Sequence, residues 1–209
     1  MSRQNRVTPY GEIVAVSAKG TLMGNRGCLH DDAGRIVRQS QRKAWIYCLL
    51  DFKGTKRTVM APGNYTELFF LDEATALAAG HRPCSECQRS RYKEFVARWT
   101  KGNRALLQGK SATAALIDGV LHRERLQAGN SKVTQKMSLN KLPDGCMVAL
   151  PDSPTVYLVH GAQLLPWSFE GYGKPRVRSP DASVEVLTPS SVVNAIGAGF
   201  DSAWAVQFL

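Results

Sequence analysis

The chain has 209 residues, 44% of them hydrophobic, and a formal net charge of +10, enough for one full domain or two small ones with an apolar core. No apolar run approaches the roughly 20 residues that cross a bilayer, and the opening MSRQNRVTPYGE lacks a secretory apolar stretch, so a cytoplasmic protein with no membrane association is expected. Residues 1–110 carry 19 Lys and Arg against 9 Asp and Glu, whereas residues 111–209 carry 8 of each; a first half this basic points to a polyanionic partner, because Lys and Arg contacts to phosphates release condensed counterions.

Residues 1–10 read as a polar, basic arm with nothing to bury. The alternation from Gly11 to Ala18 predicts a strand, and GTLMGNRGCLHDDAGR, residues 20–35, a glycine-rich loop that turns at Asp31-Asp32-Ala33-Gly34. A stronger strand covers Ala44–Phe52, with Ala44, Ile46, Cys48 and Leu50 on one face and Trp45, Tyr47 and Leu49 on the other. Lys53-Gly54-Thr55-Lys56 reads as a hairpin turn into a strand at Arg57–Ala61, followed by another at Glu67–Leu71. Asp72 is an expected N-cap for a short helix ending at Gly80.

After that helix come Arg82-Pro83 and a Cys-x-x-Cys turn, Cys84 and Cys87. Two thiolates three residues apart can point at one tetrahedral ion, but they supply only half of a zinc site. The next helix sets Tyr92, Phe95, Val96 and Trp99 at offsets 0, 3, 4 and 7, leaving its basic residues mostly on the other side. A helix over about Ala112–Leu126 links the halves, and Gly129–Leu142 reads as a polar linker or loop. Strands are expected at Cys146–Leu150, Thr155–His160 and Val184–Leu187. LLPWSFEGYGKPRVR, residues 164–178, interleaves aromatic and basic residues on a glycine-containing loop, and Thr188-Pro189 opens a terminal helix as N-cap and first helical residue.

The stretch LFFLDEATALAAGHRPCSECQ, residues 68–88, resembles the C-terminal part of the zinc-binding domain of Ada-type methylphosphotriester DNA repair proteins through Gly80, Arg82, Pro83, Cys84 and Cys87. The resemblance implies zinc on Cys84 and Cys87 and a nucleic-acid backbone near the following basic helix. That family's other two cysteines lie upstream, one of them accepting the methyl group, whereas FKGTKRTVMAPGN, residues 52–64, contains none, so methyl transfer is not expected. His81 stands where the family has an aromatic residue and should pack rather than ligate.

Five cysteines, an odd number at uneven spacing, argue for metal ligands plus core residues rather than disulfides. Cys28 and His30 are the preferred further ligands, because residues two apart in an extended segment project to one side. Cys48 and Cys146 read as core residues. The expected protein is α+β: a zinc module over residues 1–105, a connecting helix over 106–128, and a β-rich portion with a terminal helix over 129–209. Its favoured function is nucleic-acid binding, DNA above all, in repair or regulation, with Arg82, Arg89, Arg91, Lys93, Arg26, Arg35 and Arg38 on the contact surface. A metal-assisted hydrolase or base-processing enzyme using His30, Asp31, His122 and Glu124 is the alternative. A second is a thiol redox protein, since Cys87 stands at a helix N-terminus that lowers thiol pKa values. Gly109-Lys110-Ser111 is not a phosphate-binding loop, because Arg104 stands where its first glycine belongs.

Overall fold

The N-terminal arm is part of the fold. In a computed structural model, which describes residues 2–127, 131–179 and 181–202, Gln4–Val7 forms β1, and Val7 is fully buried. β1 pairs antiparallel with β2 (Ile13–Ala15) and parallel with β5 (Leu68–Phe70). With β3 (Leu22–Asn25), β4 (Ile46–Leu49) and the two-residue β6 (Arg82–Pro83), they make a six-stranded sheet in the order β2-β1-β5-β3-β4-β6. A second sheet contains β7 (Gln135–Ser138), β8 (Met147–Ala149), β9 (Val156–His160), β10 (Gln163–Ser168), β11 (Gly171–Tyr172), β12 (Arg176–Val177) and β13 (Ser183–Val186). The class is α+β.

Five α-helices are described: α1 (Glu73–Ala78), α2 (Arg89–Gly102), α3 (Arg104–Leu107), α4 (Ala114–Arg125) and α5 (Ser190–Gly197). The expected stripe on α2 buries Phe95 and Trp99 completely and Tyr92 and Val96 partly. That face packs on α5, and a methyl group on Gly102 would meet the Asn194 carbonyl oxygen at 2.2 Å, so the two helices meet where no side chain fits. The core is continuous across both sheets, joining Val7, Tyr47 and Phe70 to Val148, Val159 and Val184 through α2, α4 and α5.

Four other expectations change. Arg57–Ala61 is not a strand: Met60 is left-handed (φ 57°) and its N–H donates to Glu67 Oε2 at 2.7 Å, which holds the segment as a turn. Within the supposed linker, whose positions 129 and 130 lie outside the described residues, β7 pairs antiparallel with β13. The aromatic segment 164–178 is mostly strand, with Leu164 and Leu165 buried. Helix α5 also starts one residue later than expected, and Thr188 Oγ1 accepts the Met147 N–H at 2.9 Å instead of capping it.

Asp72 does cap α1, its Oδ1 accepting the Thr75 N–H at 2.8 Å, while its Oδ2 accepts from the Tyr172 hydroxyl at 2.6 Å. Trp167 Nε1 donates to Thr75 Oγ1 at 3.0 Å, so the β10–β11 hairpin of the second sheet holds the helix that leads to the cysteine turn. At its other end the chain leaves through Gly80 at φ +84°, a conformation natural to glycine.

Candidate metal centre

The cysteine turn is placed by backbone pairing. The Arg82 and Cys84 N–H groups donate to the Trp45 and Tyr47 carbonyls at 3.1 and 2.9 Å, making β6 a short parallel neighbour of β4. Gln88 Nε2 donates to the same Tyr47 carbonyl at 3.0 Å. Successive residues of a strand face opposite ways. Tyr47 therefore enters the main core and Trp45 is buried on the same side, while Cys48 turns to the other face and meets Cys84 beneath Met23, Ile46, Tyr65 and Phe69.

The Sγ atoms of Cys48, Cys84 and Cys87 all lie within 4.8 Å of one another. Tetrahedral zinc with Zn–S bonds of ~2.3 Å separates its sulfurs by about 3.8 Å, so the trio is close enough to hold an ion. Among the described residues no fourth Cys, His, Asp or Glu joins this group, and the sequence has none of these types outside them.

The three sulfurs are chemically unequal. Hydrogen bonding from Cys48, supported by the Cys87 and Glu86 backbone amides, pushes the Cys84 thiol down to about 5; the Glu86 N–H lies 3.4 Å from its sulfur. The bond to Cys84, then burial, raises Cys48 well above the ordinary thiol range, and burial raises Cys87. One thiolate thus accepts from its neighbours, and a metal ion would displace the remaining protons. Helix α2 starts two residues after Cys87, and its Gln88 N-cap makes no side-chain capping bond, so the helix's first amides add positive potential near the sulfurs.

Cys84 and Cys87 are thus grouped with Cys48, which the sequence assigns to the core, rather than with Cys28 and His30. His30 Nδ1 lies 2.6 Å from Thr66 Oγ1 and its Nε2 lies 3.3 Å from the Ala61 carbonyl, so both ring nitrogens have protein partners. Cys28 Sγ sits 3.6 Å from the His30 carbonyl. Cys146 is fully buried in the main core, as expected. His81 packs, as expected, 4.7 Å from the Phe70 ring centroid and 5.1 Å from that of Trp45, and its Nε2 accepts from Arg26 Nε at 3.1 Å.

Three of the seven cations assigned to a contact surface brace the framework instead. Arg82 is buried, its Nε and Nη2 donating to the two oxygens of Asp118 at 2.7 and 2.8 Å. Arg91 pairs with Glu73 at 2.6 Å and Glu94 at 2.7 Å. Arg26 is fully buried against Trp45, with Arg125 also 3.9 Å from that ring. Both guanidiniums are held below their usual range by burial, Arg125 at about 9, and they donate to the Gly11 and Gly80 carbonyls. Arg35, Arg38, Arg89 and Lys93 are exposed, Arg35 in an ion pair with Asp31.

The supposed hydrolytic groups have other partners. Asp31 Oδ1 accepts the Ala33 and Arg35 amides, as a turn aspartate does. Glu124 Oε2 accepts from the Ser191 hydroxyl at 2.5 Å, tying α4 to α5, and His122 Nδ1 lies 3.4 Å from Arg125 Nη2. No family model matches the chain, and comparisons with curated proteins and with solved structures likewise give no match.

Proposed function

We propose that the protein is a zinc-thiolate protein that binds nucleic acid, DNA first, and acts in repair or regulation. The convergence of Cys48, Cys84 and Cys87 sulfurs within 4.8 Å supports it, since a compact all-thiolate donor set in tetrahedral reach suits zinc. The nucleic-acid part draws on the charge excess of residues 1–110 and on the exposed Arg35, Arg38, Arg89 and Lys93. Two measurements on the purified, reduced protein test it. Elemental analysis should find one equivalent of zinc, and affinity for DNA should fall steeply as salt rises. Protein prepared without chelator that carries no metal would refute the first half; absent or salt-insensitive binding would refute the second.

A second reading has one observation in its favour. Three protein ligands without a fourth among the described residues is the donor count of a catalytic zinc, which keeps one position for water or substrate. Incubation with methylated, damaged or single-stranded DNA separates the readings, because a binding module leaves every substrate intact.

A further inference from the structure

One lateral row of side chains crosses the first sheet. Arg6 of β1 pairs with Phe69 of β5, Phe69 with Met23 of β3, and Met23 with Cys48 of β4. Residues directly opposite in paired strands share a face. The row therefore occupies the side of the sheet turned away from the main core and ends at the three sulfurs. Three interstrand steps of ~4.8 Å place the strands of Arg6 and Cys48 about 14 Å apart.

At the Arg6 end this face opens into a cavity of about 490 Å³, lined by Arg3, Asn5, Arg6, Val16, Val59 and Phe69 among others, with no carboxylate in its lining. Arg6 donates from Nε to the Ala18 carbonyl and from Nη1 to Asn5 Oδ1, with its guanidinium 4.8 Å from the Phe69 ring centroid; the two Nη2 hydrogens and the second on Nη1 are its further donors. Arg3 is exposed. Two guanidiniums and no acid suit a phosphate, and Val16, Val59 and Phe69 supply the apolar walls that a flat base needs. Bases in a duplex are stacked and paired, whereas those of a single strand are free to enter such a cavity. Tyr65 packs on the cysteine group and accepts a hydrogen bond from Arg57 Nε at 3.2 Å.

We propose that the Arg6 end of this sheet face is a binding track for single-stranded nucleic acid, with one nucleotide seated between Arg3, Arg6 and Phe69. The proposal rests on the nucleic-acid reading above and adds to it a contact on the sheet.

Fluorescence anisotropy of the full chain, loaded with zinc, tests it with a labelled oligothymidylate and with a duplex of equal length, each over a salt series. The wild type should prefer the single strand. Arg3→Ala with Arg6→Ala should weaken that binding about tenfold or more and make the logarithmic salt slope shallower by about 1.4, two phosphate contacts at ~0.7 each. Arg3→Ala alone, at an exposed position that makes no demand on folding, should reduce the slope by about 0.7. Unchanged affinity and slope in both arginine variants, with a wild type that still binds, would overturn the track and leave the nucleic-acid reading standing. A wild type that binds neither probe at the lowest salt would overturn both.

Discussion

Replacing Cys48 by serine separates the sulfur trio from the ligand set that the sequence favours. Zinc binding in small structural zinc domains is worth roughly 10–16 kcal/mol at neutral pH. Divided over three thiolates, that is about 3–5 kcal/mol each, or two to four orders of magnitude in affinity at ~1.4 kcal/mol per tenfold. Cys48→Ser should therefore weaken zinc binding by that factor, and Cys84→Ser and Cys87→Ser should do the same. Cys28→Ser and His30→Ala should leave it within about twofold, since both residues belong to a separate loop with its own partners. Cys146→Ser is the control for general damage, because Cys146 is fully buried in the main core and outside the trio. The assay is competition with a chromophoric zinc chelator on reduced protein, backed by elemental analysis after dialysis. Full affinity in Cys48→Ser together with loss in Cys28→Ser or His30→Ala would refute the reasoning and restore the ligand set read from the sequence.

Two further variants test the framework that holds the turn. Asp118→Ala leaves the Arg82 guanidinium buried without its carboxylate, and with side-chain exposures of 6% and 9% the pair is dry enough for a cost of about 3–5 kcal/mol in urea unfolding; a loss below about 1 kcal/mol would mean that water replaces the carboxylate. Burial raises the Asp72 carboxyl above its ordinary range despite the bonds from Tyr172 and Thr75, so the folded protein holds that proton more tightly than the unfolded chain. This contribution to stability is complete below the ordinary aspartate pKa and is lost as pH rises through the raised folded value. Asp72→Asn, which still caps α1, should remove that loss from urea curves recorded at rising pH from about 4, the ordinary aspartate pKa, and an unchanged pH slope would show that Asp72 is not its source.

Features that depend on near neighbours can be read along the chain. The alternation around Trp45 and Tyr47, the Asp72 cap, the release at Gly80 and the stripe of Phe95 and Trp99 are local patterns, and each corresponds to an element in the structure. Cys84 and Cys87 were likewise legible as a pair, because three residues of chain fix their separation. Tertiary structure alone decided the third sulfur: alternation puts Cys48 on the face opposite Tyr47, but which strand lies beside β4 depends on hydrogen bonds to Arg82 and Cys84, far along the chain. The same holds for the N-terminal arm, which looks polar in isolation and enters the sheet because β5 offers it a parallel partner at Phe69. It holds equally for Arg26, Arg82 and Arg91, which read as surface cations until Trp45, Asp118 and Glu73 are brought against them. Periodicity records which face of an element is apolar; what that face meets is set by burial and pairing between segments distant in the chain, and no local pattern encodes those partners.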